Sequence, residues 1–305
     1  MTAAPHASAT LAGLDIGGTA TRIVIWRGGA CLASRRVPTA SFDEGSTDER
    51  SDRLAGMIAE LVPEGAVLAA VGIGATGPMD IARGIIANPF TQPSLSGFGI
   101  ADALASRLAC PVAIENDAVV AALAENHLGA GRGSRRLLMV TLGTGIGVSL
   151  LLDGVPFRTA EGAHPEGGHL PITSGTERCY CGIAGCWEQN ASRIALQRRL
   201  LPLLPQTTPP DRVVADAAEA APSNPVIRSA FHGYGRLLGR GLCALNTLYG
   251  PDVIVLGGSA AAAFPLYRQG VEQEMGCHVV EGLIRMASLE EPGAIGAAMV
   301  AAGLV

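Results

Sequence analysis

The 305-residue sequence predicts an α/β protein built from two similar halves. Three observations carry this expectation. Hydrophobic residues make up 48% of the chain, ample for a sizeable core, so the chain is not read as disordered. Glycine is abundant (40) and aromatic residues are scarce (4%), a pairing that suits tight turns and close backbone approach to a ligand. A strand–glycine-turn–strand unit occurs twice, around Asp15-Ile16-Gly17-Gly18-Thr19 and around Leu142-Gly143-Thr144-Gly145-Ile146-Gly147. A repeated plan of this kind predicts two lobes with a ligand in the cleft.

Residues 1–10 read as a loose tail. LAGLDIGG is a short buried strand ending in Gly-Gly, and TRIVIWRGGACLASRRV is two strands joined at Arg27-Gly28-Gly29. Ser46-Thr47-Asp48-Glu49 has capping-box spacing, so a helix opens there and stops before Pro63. AVLAAVGIGATGP is an apolar strand breaking into a glycine-rich loop. ADALASRLA is a helix, and PVAIENDA is a strand feeding the helix AVVAALAENHLGA. The second half repeats the plan. LLMVTLGTGIGVSLLLDGVPF holds two strands, an Asp153-Gly154 hairpin and a third strand. Helices follow near 190–201, 211–220 and 224–249, with a Pro/Thr-rich loop at 202–211. PDVIVLGGSA is a strand ending at Gly257-Gly258. A helix near 261–275 and the helical AIGAAMVAAG complete the chain.

The net charge of −5 and the lack of a basic patch argue against nucleic acid or an anionic membrane as partner. All 22 basic residues are arginine. With no lysine there is no P-loop or protein-kinase strand lysine, so any bound phosphates must be held by backbone N–H groups, hydroxyls or a metal. MTAAPHASAT lacks the charged and apolar regions of a signal peptide. The most apolar run, LLMVTLGTGIGVSLLL, is interrupted by Gly and Thr and reads as two core strands instead of a membrane span. A cytoplasmic protein is expected, with its seven cysteines reduced.

In the two glycine turns, backbone N–H groups can approach phosphate oxygens, and Thr19 and Thr144 add uncharged donors. Asp15 is placed to hold Mg²⁺ directly or through water. Either turn alone also reads as an ordinary hairpin; the two together, with Gly257-Gly258, favour phosphate binding. Glu115-Asn116-Asp117 ends an apolar strand, where a carboxylate is placed to act as general base. An Asn or Asp before AVVAALAEN is equally a helix N-cap.

HPEGGHLPITSGTERCYCGIAGCWEQ (164–189) is the richest stretch. Cys179, Cys181 and Cys186 with His169 form a donor set suited to closed, tetrahedral structural zinc. Disulfides are disfavoured by compartment, and free core cysteines fit poorly beside Gly182 and Gly185. Zinc would also fix Glu166 and Glu188, two carboxylates suited to vicinal sugar hydroxyls. As a bland alternative, both are solvated surface glutamates.

From DIGGT to PGAIGAAMVAA the chain resembles the ROK group (repressors, open reading frames and sugar kinases) of the actin-like ATPase superfamily. The most specific part is Glu166-Gly167-Gly168-His169 followed by CYCGIAGCWE (179–188). His164-Pro165 stands where the family usually has Ala-Gly. The resemblance implies a two-lobed, ribonuclease H-like α/β fold with a small zinc-bound loop. It places one lobe at 10–118 with the C-terminal helix (292–305), and the other at 119–291 with the zinc loop at 164–189. It implies an ATP-dependent kinase acting on a hexose or N-acetylhexosamine, on the 6-OH, with Asp117 as base. Asn88, Asn116, Glu166, His169 and Glu188 match sugar-contact positions. Asp15, Gly17, Gly18, Thr19, Gly143, Thr144 and Gly145 match the phosphate loops, and Gly257 and Gly258 the adenosine side. His169 would give one ring nitrogen to zinc and offer the other to sugar. The alternative is a sugar-binding regulator or sensor without catalysis. Against it, only fourteen residues precede Asp15, too few for a helix-turn-helix module. A homodimer is the expected assembly.

Overall fold

A computed structural model describes residues 9–89, 92–160, 162–278 and 281–305; most of the expected N-terminal tail lies outside them. Contacts divide the chain into two compact units: 1–129 with 158–164 and 289–305, and 130–157 with 165–288.

The first unit is organised by a five-stranded sheet. Strand β1 (Thr10–Ile16) is an apolar run buried along nearly its whole length, as a central strand requires. It pairs antiparallel with β2 (Ala20–Arg27), which pairs antiparallel with β3 (Ala30–Pro38). Gly28 (φ 60°) and Gly29 (φ 85°) supply the left-handed turn of the β2–β3 hairpin. Helix α1 (Thr47–Leu61) opens on the expected capping box: Glu49 N–H donates to Ser46 Oγ (3.3 Å) and Ser46 N–H donates to Glu49 Oε2 (2.7 Å). Strand β4 (Leu68–Ala75) runs parallel to β1. Two-residue strands β5 (Met79–Asp80) and β6 (Ile85–Ile86) pair with each other, a ribbon too short to leave a periodic signal in the sequence. Helix α2 (Ile100–Leu108) leads to β7 (Val112–Asn116), parallel to β4, and β7 runs straight into α3 (Asp117–His127). The sheet order is β3-β2-β1-β4-β7.

The C-terminal helix Pro292–Ala302 packs across β1, β4 and α3. It fits because the contact is backbone on backbone. A Cβ on Gly13 would lie 1.9 Å from the Ala294 carbonyl oxygen, and one on Gly296 would lie 1.7 Å from that of Val120. Through this contact α3 groups with the first unit.

The second unit repeats the sheet plan. Strands β8 (Arg136–Leu142), β9 (Ile146–Leu152) and β10 (Val155–Pro156) pair antiparallel in sequence, and Asp153-Gly154 makes the predicted turn. The helix expected near 190–201 is two: α4 (Trp187–Ala191) and α5 (Arg193–Leu200), separated at Ser192, whose Oγ caps α5 by accepting from Ala195 N–H at 3.2 Å. After α6 (Val213–Ala220), helix α7 (Pro225–Tyr249) opens on the Asn224 cap with Pro225 in its first turn and closes at left-handed Gly250. Strand β11 (Val253–Gly257) pairs parallel with β8, α8 (Phe264–Met275) packs on α7, and β12 (Ile284–Met286), not expected from sequence, pairs parallel with β11. The order β10-β9-β8-β11-β12 has the same succession of antiparallel and parallel pairings as the first sheet. Trp187, Phe231, Tyr234 and Tyr267 fill the core, and the two tyrosine hydroxyls donate to the Ala191 and Ala260 carbonyls. Among the described residues no helix is long and apolar enough to cross a membrane.

Candidate functional site

In the first unit, parallel pairing sets three chain segments level. Asp15 is in register with Gly74 and Gly74 with Glu115; Ile16 matches Ala75 and Ala75 matches Asn116. The residues leaving the sheet at this edge are therefore Gly17, Thr76 and Asp117. This is where open α/β sheets place ligands.

Burial raises the Asp15 carboxyl to about 7, the Asp117 charge adds to the rise, and Glu291 adds less. Arg22 opposes them from 3.6 Å while its Nε binds Glu291 at 2.8 Å. The first turn of the C-terminal helix closes over this carboxylate: a Cβ on Gly293 would lie 2.6 Å from Asp15 Cγ. The glycine turn is pinned from behind by Thr39, whose Oγ1 donates to the Gly17 carbonyl (2.6 Å), and whose N–H donates to that of Thr19 (3.0 Å). Gly18 and Thr19 are left exposed at its tip.

Asn116 is the N-cap of α3; its Oδ1 accepts from Ala118 N–H (2.9 Å) and Val119 N–H (3.3 Å). The Asp117 carboxylate is fixed at both oxygens, Oδ1 accepting from Ala118 N–H (2.8 Å) and Oδ2 from Thr76 Oγ1 (2.9 Å). Asn88 is buried and donates from Nδ2 to the Gly77 carbonyl (2.6 Å), so it holds the turn that carries Thr76. Glu115 is buried, accepts from the Asn116 N–H (2.8 Å) and is ion-paired with Arg158. His164 lies near Arg158. Its Nδ1 is shut off from water without a hydrogen-bond partner, and burial followed by the Arg158 charge lowers its pKa to about 4. Thr76 and the Glu115–Arg158 pair were not expected from sequence; a hydroxyl just past an apolar strand is the one local signal for Thr76.

In the second unit, β8 and β11 are parallel with Thr141 level with Gly257, so both glycine turns leave the sheet together. They touch: Gly258 (φ 80°) has no room for a Cβ beside the Leu142 backbone (2.6 Å), and Ala260 N–H donates to the Leu142 carbonyl at 3.1 Å. Thr144 is exposed at the tip, and the Gly143 carbonyl accepts from Arg193 N–H at 3.0 Å.

The Cys/His loop packs against the same turn. Its short 3-10 turn, Gly167–His169, lies on the start of β9, where a Cβ on Gly168 would be 2.0 Å from the Ile146 carbonyl. Trp187, next to Cys186, anchors the other end in the core against Gly241 of α7. Between them the ligand atoms of His169, Cys179, Cys181 and Cys186 all lie within 4.8 Å of one another. The three cysteines are free thiols, and His169 Nδ1 faces Cys186 Sγ (3.3 Å) and Cys179 Sγ (3.9 Å). Burial raises the Cys179 and Cys186 thiols, Cys186 to about 12. Three sulfurs and one imidazole nitrogen fit zinc.

Glu188, two residues past Cys186, turns back to the glycine turn: Oε2 accepts from Ile146 N–H at 2.9 Å, and Gly145 leaves space for it. Glu166 is exposed. The second ring nitrogen of His169 is not open as expected, since Nε2 meets the Tyr180 hydroxyl at 3.3 Å. That hydroxyl also faces Glu188; although the ring is exposed, the pKa of the hydroxyl is raised, by partial loss of water around it first and then by the Glu188 charge.

The chain as a whole is similar to known proteins. The chain is similar to a ROK hexokinase of Thermus thermophilus (TM-score 0.82, 32% identity, covering 96% of this chain and 97% of that one). It is also similar to a ROK family glucokinase of Streptomyces griseus solved with glucose and AMPPNP (TM-score 0.79, 28% identity, 96% and 99% covered). A glucokinase of Streptomyces coelicolor is 29% identical over 263 residues, 81% of this chain and 80% of that protein. Residues 11–303 match the ROK family, and the chain belongs to it. The fold is accordingly the α/β, mixed-sheet fold of ROK kinases, of the actin-like ATPase class.

Proposed function

We propose that the protein is an ATP-dependent sugar kinase that phosphorylates a hexose or N-acetylhexosamine on its 6-OH. The observation that carries this reading is the Asp117 carboxylate, fixed by Thr76 and Ala118 N–H where its strand leaves the sheet, two residues beyond the position level with Asp15. Similarity to the glucokinase bound to glucose and AMPPNP supports the same pair of substrates.

In the proposed reaction the sugar hydroxyl oxygen bonds to the γ-phosphorus of ATP. The bond from that phosphorus to the β–γ bridging oxygen breaks, ADP leaves, and the hydroxyl proton passes to Asp117. The transition state is loose, so positioning and charge neutralisation do most of the catalysis. Gly17, Gly18, Thr19, Gly143, Thr144 and Gly145 offer backbone N–H and hydroxyl donors to phosphate, with Gly257 and Gly258 on the adenosine side. Asp15, crowded by Asp117 and Glu291, would hold Mg²⁺, which supplies charge neutralisation at the phosphates. Sugar hydroxyls fall to Asn116, Glu166, His169 and Glu188. The Asn116 cap uses Oδ1, so its sugar contact would come from Nδ2. Asn88 supports this site by holding the Thr76–Gly77 turn. Zinc on His169, Cys179, Cys181 and Cys186 would have a structural role, keeping Glu166 and Glu188 on one rigid loop.

The test is ADP release with Mg-ATP across glucose, fructose, mannose, allose and N-acetylhexosamines. Sugar-dependent ADP release is expected and names the substrate. Sugar binding without ADP release from any of them would overturn the kinase reading and favour a sugar-binding regulator.

A further inference from the structure

Tyr180 lies between two of the clustered cysteines, yet it is 71% exposed. Its ring meets His169 edge-on, with centroids 5.3 Å apart at 89°. Its hydroxyl is engaged on polar groups, at 3.3 Å from His169 Nε2 and in a hydrogen bond with Glu188. Both partners are side chains proposed to bind the sugar, and the role inferred for Tyr180 rests on that proposal.

The donor count at His169 decides what this arrangement does. Nδ1 faces the thiols and is the nitrogen a metal would take, which leaves the ring proton on Nε2. His169 then has a single N–H to give. With a metal on Nδ1, that N–H would point to the Tyr180 oxygen 3.3 Å away, and the Tyr180 O–H would donate on to the Glu188 carboxylate. A sugar hydroxyl bound by His169 and Glu188 would make the same two hydrogen bonds in the same sense. One N–H cannot serve both oxygens at full strength.

We propose that the Tyr180 hydroxyl occupies the place of a sugar hydroxyl between His169 and Glu188, and that sugar binding displaces it. Tyr180 thereby sets sugar affinity by competition. The ring can leave because it is exposed and not part of the core, and the two residues after it, Cys181 and Gly182, are exposed as well. Removing the hydroxyl removes the competitor and leaves the edge contact with His169 in place.

The experiment is calorimetric titration of zinc-loaded protein with glucose, fructose, mannose and N-acetylglucosamine, comparing the parent with Tyr180→Phe. The Kd for the sugars that bind is expected to fall about three- to tenfold in the variant, the worth of one hydrogen bond no longer broken on binding. An unchanged or larger Kd overturns the proposal; a larger one makes Tyr180 a direct sugar contact. A second reading comes from fluorotyrosine NMR on the parent, where the chain's four tyrosines keep the spectrum simple. The Tyr180 resonance, assigned by its loss in Tyr180→Phe, is expected to shift at saturating sugar, and a fixed resonance overturns displacement. If the parent binds none of these sugars, the sugar-site assignment itself fails and this inference with it, an outcome distinct from binding that ignores Tyr180.

Discussion

Replacing Gly145 by alanine tests how the glycine turn and the Cys/His loop share one place. The added methyl would sit 2.2 Å from Glu188 Oε2 and 2.9 Å from its Cδ. Carbon and oxygen in ordinary contact need roughly 3.5 Å, so the carboxylate must retreat by about 1 Å or more. The Gly145 backbone lies outside the left-handed region, so alanine adds no strain of its own. The retreat breaks the 2.9 Å bond from Ile146 N–H to a charged acceptor, worth about 1.5–3 kcal/mol. It also misplaces a proposed sugar contact by about 1 Å, an error that costs roughly a hundredfold in rate. Steady-state assays should therefore show kcat/KM for sugar falling about a hundredfold. Glu188→Asp shortens the side chain by one methylene and relieves the clash, so in that background Gly145→Ala should cost less than about tenfold. An equal cost in both backgrounds, or activity of Gly145→Ala within about threefold of the parent, refutes the reasoning.

Other perturbations report on separate parts of the molecule. Metal analysis should find about one zinc per chain, lost on Cys186→Ser with a fall in thermal midpoint; protein that purifies without metal and is indifferent to chelators contradicts the zinc assignment. His164 should make stability fall as pH drops. Its folded pKa, about 4, lies below its unfolded value of 6.5, so the contribution is intact above pH 6.5 and is lost progressively towards pH 4. The loss is about 3 kcal/mol at most, and His164→Gln should flatten that part of the urea-midpoint profile; an unaltered slope counts against it. Gly72→Ala would force a methyl to 1.9 Å from the Ala297 carbonyl oxygen, and denaturant unfolding should show a loss of about 3 kcal/mol or no folded protein; a loss under about 1 kcal/mol contradicts the packing described.

Elements with strong local chemistry were legible in the sequence. The Ser46–Glu49 capping box, the Gly28-Gly29 hairpin and the apolar strand before Asp117 all formed where composition and spacing put them. The Cys/His cluster was legible too, because residue type alone identifies candidate ligands. What local sequence leaves open depends on partners distant along the chain. The place of α3 is decided by Gly296 lying on the Val120 carbonyl, which no local pattern encodes. Strands β5, β6 and β12 are too short to show a period. The break at Ser192 follows from its capping of α5, a choice a serine within an apparent helix leaves open. Thr76 and Tyr180 carry hydroxyls whose roles follow only from their aim, at Asp117 in one case and at His169 in the other.

The central claim rests on Asp117, and Asp117→Asn addresses it most directly. Asparagine keeps the size of the side chain and an oxygen to accept from Thr76 or Ala118 N–H, and removes the proton acceptor. With the sugar and Mg-ATP saturating, kcat should fall by about 10²–10⁴, the usual contribution of a general base, while the calorimetric Kd for sugar stays within a few-fold of the parent. A kcat within about threefold of the parent would contradict the assignment of Asp117 as the base.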